Sequence, residues 1–186
     1  MKGPDEIEVA WKSYTGKVIQ EKHVEQWKRG VEEKSKLKAY RAVDKPVKTK
    51  CWDGSKGSRL LFQGRAGVIN LEKREQKWTN GSDGKCRVCR EDVDETIDHM
   101  MTWCTGYRAL RDQLFLQWRT RDGQCKSLEQ VRDMAENDRL AWILGLKGDF
   151  PGSRVGLESE KGFLVQCWES RNNILGLITE ENRGQT

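Results

Sequence analysis

The sequence contains no run of about eighteen apolar residues, the length that a membrane-spanning helix requires. Its beginning also lacks the basic region followed by an apolar stretch that is typical of a secretory signal. We therefore expect an intracellular protein, nuclear or cytoplasmic, that does not bind membranes. Disulfides are rare in a reducing compartment, so we expect the six Cys to be free thiols or metal ligands.

Sequence motifs of several enzyme classes are missing too. There is no Gly-x-x-x-x-Gly-Lys-Ser/Thr loop for phosphates and no Gly-x-Ser-x-Gly turn for a nucleophilic serine. The chain has two His, and His99 lies in a Cys-containing stretch, so no second His remains with which His23 could build a hydrolytic centre. We interpret His23 as a polar residue of a helix. We accordingly predict no catalytic residues, no small-molecule substrate and no enzymatic activity.

Apolar residues are scarce, at 35% of the chain against 34% charged residues, although eight of them are Trp. We therefore expect a thin core that depends on a few large aromatic side chains.

Cys and His are concentrated in one stretch, which reads Cys86-x-x-Cys89, a nine-residue spacer, His99, a four-residue spacer and Cys104. Zinc binds four nitrogen or sulfur ligands in a tetrahedron, and a Cys-x-x-Cys turn supplies two of them. The spacing predicts a Zn²⁺ site made of these four residues, with no open position for catalysis. Structural zinc contributes roughly 10–16 kcal/mol of apparent binding energy in small zinc-finger peptides, comparable with the whole stability of a modest domain, so we expect folding of this thin-cored chain to depend on the ion. The alternative is a turn with buried, unligated thiols. We interpret the remaining Cys as free or buried thiols: Cys51, Cys125 and Cys167.

Positive charge is unevenly distributed. Residues 1–85 carry 20 Lys and Arg against 12 Asp and Glu, a balance of +8, whereas residues 86–186 carry 14 against 17, a balance of −3. Within residues 34–50, here called the basic segment, seven basic residues accompany a single acid, Asp44: Lys34, Lys36, Lys38, Arg41, Lys45, Lys48 and Lys50. Such a segment can bind the phosphates of RNA or DNA. The alternative is a solvated, partly disordered linker ended by Pro46.

Apolar periodicity predicts helices and no clear strands. We expect a helix from Lys17, in which Gly30 allows a break, and a glycine-containing helix or short helix with a turn over 58–72. Further helices are predicted over 107–118, 127–146 and 157–178. The predicted fold is mainly α, an irregular helical domain built around a CCHC zinc knuckle, with three parts: 1–16 a flexible N-terminal arm, 17–50 a helix and basic linker, and 51–186 the helical zinc-knuckle domain.

A further helix is expected to carry His99 and Cys104 at its far end. Four acidic residues precede it, and negative side chains near a helix N-terminus are favourable, so we interpret them as the start of that helix: Glu91, Asp92, Asp94 and Glu95. Their charge argues against phosphate binding at the metal ligands themselves. Among the aromatics, Trp27, Tyr40 and Trp52 could stack on bases but are more often core residues.

Four stretches together have a distinctive order. The first is Ser-Lys-Leu-Lys-Ala-Tyr-Arg over 35–41, and the second is the Arg- and Leu-containing stretch Arg59 to Arg65. The third joins the Cys and His cluster to Glu95, Tyr107 and Arg111. The fourth is Arg-Leu-Ala-Trp-Ile-Leu-Gly over 139–145 followed by Trp-x-x-Arg-Asn over 168–172. This order resembles the C-terminal, thumb-adjacent and zinc-knuckle region of reverse transcriptases encoded by LINE-like, non-LTR retrotransposons.

The resemblance implies a module that engages template RNA or target DNA. Polymerase chemistry in that family needs a Tyr/Phe-x-Asp-Asp turn that holds divalent ions, and the sequence contains none. We therefore expect a zinc-stabilised nucleic-acid-binding module that is not itself a polymerase. The alternative is a domesticated, zinc-containing adaptor that binds a protein partner through Trp-rich helix faces.

Overall fold

The computed structural model describes residues 4–47, 52–78, 81–147, 151 and 153–183. These residues are mainly helical, as predicted, and contain no strand beyond one isolated antiparallel bridge between Lys85 and Asp94. The α-helices are α1 (Pro4–Glu32), α2 (Lys38–Arg41), α3 (Lys56–Arg65), α4 (Glu72–Glu75), α5 (Arg108–Arg121), α6 (Leu128–Arg132), α7 (Glu136–Ile143) and α8 (Arg154–Arg183). Within this described part of the chain, every helix is too short or too polar to cross a membrane.

Helix α1 begins earlier than predicted. It is continuous from Pro4 through Gly30, so the prediction that helix starts only at Lys17 is wrong, and no break occurs at Gly30. The side chains of Trp11 and Tyr14 are exposed, by 64% and 62%. Because these two large apolar side chains lie in solvent rather than on a buried stripe, the apolar periodicity used for prediction gives no helix signal at their positions. The three-part division of the chain remains a prediction.

The core lies where α3 and α5 pack against α8. Trp118 and Trp142 meet there edge to face, with ring centroids 5.6 Å apart, and Phe115 packs against both. The rest of this core is mostly Leu, Ile and Met. The expectation of an interior based on a few aromatics therefore holds only in part, since Trp11 and other Trp residues are exposed.

The close contact between α3 and α8 depends on Gly57. A Cβ atom on this residue would lie 2.7 Å from Cβ of Lys161, so a larger residue would push the two helices apart. The helix predicted over 58–72 is the short α3, followed by a turn in which Gly67 has a φ of +63°. Glycine adopts this left-handed conformation without steric strain, which accounts for the end of the helix.

The predicted helix over 127–146 is two helices, α6 and α7. Ser127 and Gln130 form a capping box at the start of α6. Its end is fixed by Arg139 of α7, whose Nη1 donates to the carbonyl oxygens of Arg132 and Met134 at 3.1 and 2.7 Å. Since these bonds satisfy carbonyls that a continuous helix would use, the chain turns between the two helices.

Candidate metal centre and basic surface

The four predicted metal ligands lie together. Sγ of Cys86 is 3.8 Å from Sγ of Cys104, and Sγ of Cys89 is 3.5 Å from Nε2 of His99. All four ligand atoms are within 4.8 Å of one another. Cys86, His99 and Cys104 are buried, and Cys89 is partly exposed. This cluster can hold a metal ion, as predicted.

A tight turn presents the first two ligands. The backbone N–H of Cys86 donates to the carbonyl of Val93 at 2.9 Å, beside the bridge between Lys85 and Asp94. Within the turn, the N–H of Arg90 donates to the carbonyl of Cys86 at 3.2 Å, and Arg90 has a φ of 58°. This local hairpin brings both thiols to one side of the chain.

A π-helical turn, His99–Trp103, presents the other two ligands. The N–H of Cys104 donates to the carbonyl of His99 at 2.8 Å, a bond between residues five apart. In an α-helix, residues five apart point in different directions, whereas the wider π turn brings the second nearly above the first. The π turn is therefore what allows His99 and Cys104 to share a site.

The four acids directly precede the helical segment that carries His99, as predicted, because that segment begins at Ile97. They lie before its first turn rather than in it, and Thr96 caps the turn by accepting from the backbone N–H of His99 at 3.1 Å. Asp94 instead pairs with Lys73 at 2.9 Å, and Glu95 is buried. These two residues precede the turn and form tertiary ion pairs, which the order of residues does not reveal.

Glu95 joins the metal-binding turn to α8. Arg171, on α8, donates through Nε to Oε1 of Glu95 at 2.9 Å and through Nη2 to Oε2 at 3.0 Å. The same Nη2 reaches Oε1 of Glu72 at 3.2 Å, and the N–H of Glu72 donates to Glu95 at 2.7 Å. Glu95 and Arg171 are only 1% and 4% exposed, so removing either residue would leave the charge of the other buried and uncompensated.

Two further arginines hold the other side of the site. Arg139 of α7 donates to both carboxylate oxygens of Asp98, which directly precedes His99. Arg111 donates from Nη1 to the carbonyl of Cys104 at 3.0 Å. The resemblance includes Arg111 and Arg139 but assigns them no partners. The structure shows that they fix the backbone beside two of the ligands.

Burial and mutual hydrogen bonding change the pKa values of the three thiols in the cluster. The hydrogen bond with Cys104, together with burial, raises the pKa of Cys86 to about 12. The same bond lowers the pKa of Cys104, and burial raises the pKa of Cys89. A metal cation would favour the thiolate form of all three and displace their protons, so metal affinity should fall as the pH falls.

The remaining Cys are separate from this cluster. Cys167 is completely buried, and burial raises its pKa, while Cys125 is partly buried. All Cys of the described residues are free thiols. Cys51 lies outside the described residues. Cys125 and Cys167 are therefore not among the ligands of the metal site.

The basic segment is attached to the body of the protein through its apolar residues. Ala39 in α2 is buried against the core, and Leu37 and Tyr40 are partly buried. Tyr40 also packs edge to face on Trp27, with ring centroids 6.4 Å apart. Two of the three aromatics considered for base stacking therefore pack on each other, while Trp52 is 62% exposed.

The basic side chains of this segment differ in their surroundings. Lys34, Lys36 and Lys45 are exposed and have no ion-pair partner among the described residues. Lys38 pairs with Glu136 at 2.9 Å. Arg41 is partly buried and donates to the carbonyl of Glu32 at 3.3 Å. Lys48 and Lys50 lie outside the described residues.

Sequence reasoning missed a second group of basic residues next to this segment. Lys73, Arg74 and Lys77, in and after α4, line the same cavity as Lys36 and Lys38. Because some 35 residues separate the two groups along the chain, neither charge runs nor periodicity could join them. Trp78 is 75% exposed at the same cavity.

A scan of the chain against protein-family models gives no match, and searches of curated proteins and of solved structures give none either.

Proposed function

We propose that the cluster binds one structural Zn²⁺. In a tetrahedral site with Zn–S bonds of about 2.3 Å and a Zn–N bond of about 2.0–2.1 Å, two sulfurs lie about 3.8 Å apart and a sulfur and a nitrogen about 3.5 Å apart. The separations of Cys86 from Cys104 and of Cys89 from His99 have these values. Three Cys and one His also complete the coordination, which is typical of structural zinc.

We further propose that the chain is a nucleic-acid-binding module, of the kind that the resemblance to the C-terminal region of LINE-like reverse transcriptases implies. The observation that carries this proposal is the arrangement of the basic segment. Its apolar residue Ala39 is buried, while Lys34, Lys36 and Lys45 extend into solvent without carboxylate partners among the described residues. Such lysines can replace the counterions of a phosphate backbone, which produces affinity for RNA or DNA.

The zinc site would position the basic segment indirectly. Asp98, next to the ligand His99, is held by Arg139 of α7, and α7 packs against α2 within the basic segment. The Lys38–Glu136 ion pair joins the same two helices. In this proposal the protein binds nucleic acid without reacting with it: zinc stabilises the fold, and lysines contact phosphates.

A salt titration of nucleic-acid binding tests this function. The triple variant Lys34→Gln, Lys36→Gln, Lys45→Gln should bind a single-stranded oligonucleotide more weakly, and the slope of log K against log salt should decrease by about 2. The control variant Lys17→Gln, Lys22→Gln, Lys126→Gln removes the same charge from exposed sites elsewhere. Equal effects of the two variants would contradict the assignment of this surface, and no binding at low salt would contradict the function.

A protein-binding adaptor is the second candidate. It is favoured by the exposed aromatic pair of α1, Trp11 and Tyr14, whose rings lie 6.1 Å apart, with Ile19 54% exposed on the same helix. If this function is correct, Trp11→Ala should abolish capture of a protein partner and leave nucleic-acid affinity unchanged. A chain that binds nucleic acid with the salt dependence given above would favour the first candidate.

A further inference from the structure

A cavity of about 250 Å³ lies between the basic segment and the α4 region. Its inner lining is apolar and buried, and it includes Ala39, Ile69, Leu71 and Leu140. Drug-sized ligands occupy pockets of about 300–1,000 Å³, so this volume suits a smaller, fragment-sized group. The apolar lining indicates that the occupant has an uncharged, apolar surface.

The outer lining of the cavity is positively charged. It contains Lys36 and Lys77, both exposed and without a carboxylate partner among the described residues. Each acid in the lining already has a cationic partner: Glu95 pairs with Arg171, Asp98 with Arg139, and Glu136 with Lys38. The uncompensated charge at the opening is therefore positive, which favours an anionic group next to the apolar occupant.

Trp78 stands at the same cavity. At 75% it is the most exposed of the large apolar side chains in the described part of the chain. An exposed indole beside lysines is the combination with which proteins bind single strands, because every base has a flat face that stacks and every nucleotide has a phosphate. An unpaired nucleotide provides both the apolar and the anionic part that the cavity selects.

We propose that this cavity receives one unpaired base of a single-stranded nucleic acid. The base stacks on Trp78, and the phosphates on either side of it lie against Lys36 and Lys77. This rests on the proposed function and deepens it, because it assigns a single strand as the ligand and adds a contact outside the basic segment. A duplex, whose bases are already stacked and paired, cannot use this site.

The test compares three fluorescent ligands by anisotropy: a short oligothymidylate, an abasic oligomer with the same number of phosphates, and a duplex of the same length. The zinc-loaded chain should bind the oligothymidylate at least about 5-fold more tightly than the abasic oligomer. Trp78→Ala should remove that difference, and Lys77→Gln should lower the salt slope by about 0.7. Trp11→Ala, which removes another largely exposed indole, 64% exposed on α1, is the control and should change neither quantity.

Circular dichroism and zinc content should be the same for all variants, since Lys77 and Trp78 are exposed. Thymidine monophosphate as a competitor separates a free nucleotide from a strand, and it should compete only at much higher concentration. Equal affinity for the abasic oligomer, or a Trp78→Ala variant that still prefers bases, would overturn the site. In that case the proposed nucleic-acid-binding function would still be supported if the triple lysine variant lost binding. A chain that bound none of the three ligands would contradict both that function and the base-binding cavity.

Discussion

Arg139 and Asp98 form a two-point contact, with Nε to Oδ1 at 2.7 Å and Nη2 to Oδ2 at 2.8 Å, immediately before the metal ligand His99. Their side chains are only 10% and 14% exposed. The ion pair raises the pKa of Arg139, so its positive charge is stabilised in the folded state. This contact joins α7 to the π turn. Because α7 also packs against α2, the contact connects the basic segment to the metal site.

Replacing Arg139 should therefore destabilise the metal side of the protein. Arg139→Gln removes a largely buried charge from Asp98, and we expect the free energy of unfolding to fall by about 3 kcal/mol. Arg139→Lys keeps the charge but loses the planar fork, so it should recover only part of the loss. Urea unfolding of the zinc-loaded chain measures both. The exposed pair of Lys147 with Asp138 is the control, and Lys147→Gln should change stability by less than about 1 kcal/mol.

The contact between Arg171 and Glu95 gives a second prediction. Arg171→Met leaves two buried carboxylates, Glu95 and Glu72, without their cation, and should lower the free energy of unfolding by about 3–5 kcal/mol. Adding Glu95→Gln should restore part of this loss, and a double-mutant cycle in urea measures the coupling. Strictly additive effects of the two substitutions would mean that the ion pair does not couple the turn to α8.

The ligands could be predicted from the sequence because their signal is local. Cys86 and Cys89 share one turn, and His99 and Cys104 are one π turn apart, so spacing alone identifies all four. The supporting contacts could not be predicted, since Arg171 and Glu95 are 76 positions apart and only the tertiary fold brings them together. The start of α1 was missed for a different reason: Trp11 and Tyr14 are exposed, and periodicity detects only helices that bury an apolar stripe.

Glu160 should make stability depend on pH. It is fully buried, and its two carboxylate oxygens have no hydrogen-bond partner in the described part of the chain. Burial raises its pKa well above the usual value of 4.5. The folded protein therefore holds this proton to higher pH than the unfolded chain does, and stability should decrease as the pH rises from the unfolded pKa through the folded one.

Glu160→Gln should remove this pH dependence. The variant should be more stable than the parent by about 1 kcal/mol or more near neutral pH, and the difference should shrink as the pH is lowered. Urea unfolding from about pH 6 to about pH 8 measures it while zinc stays bound. Glu25→Gln, on the exposed surface of α1, is the control. A difference between Glu160→Gln and the parent that does not change with pH would contradict this account of the carboxyl.

Loss of a metal ligand should unfold the middle of the chain. Cys89→Ser or His99→Ala removes one of four zinc ligands, and we expect the zinc content to fall from about one per chain to nearly none, with a loss of helical circular dichroism. Cys125→Ser changes a thiol outside the cluster and should keep its zinc. Retention of zinc by both ligand variants would show that the metal binds elsewhere.

The most direct test of the central claim is a chelator titration in which zinc content, helical circular dichroism and oligonucleotide binding are measured on the same sample. The account predicts that all three decrease together as about one zinc per chain is removed, and that added zinc restores them. The cluster of Cys86, Cys89, His99 and Cys104 would then support the fold that positions the basic segment. Full helicity and unchanged binding in a chain that has lost its zinc would contradict that claim.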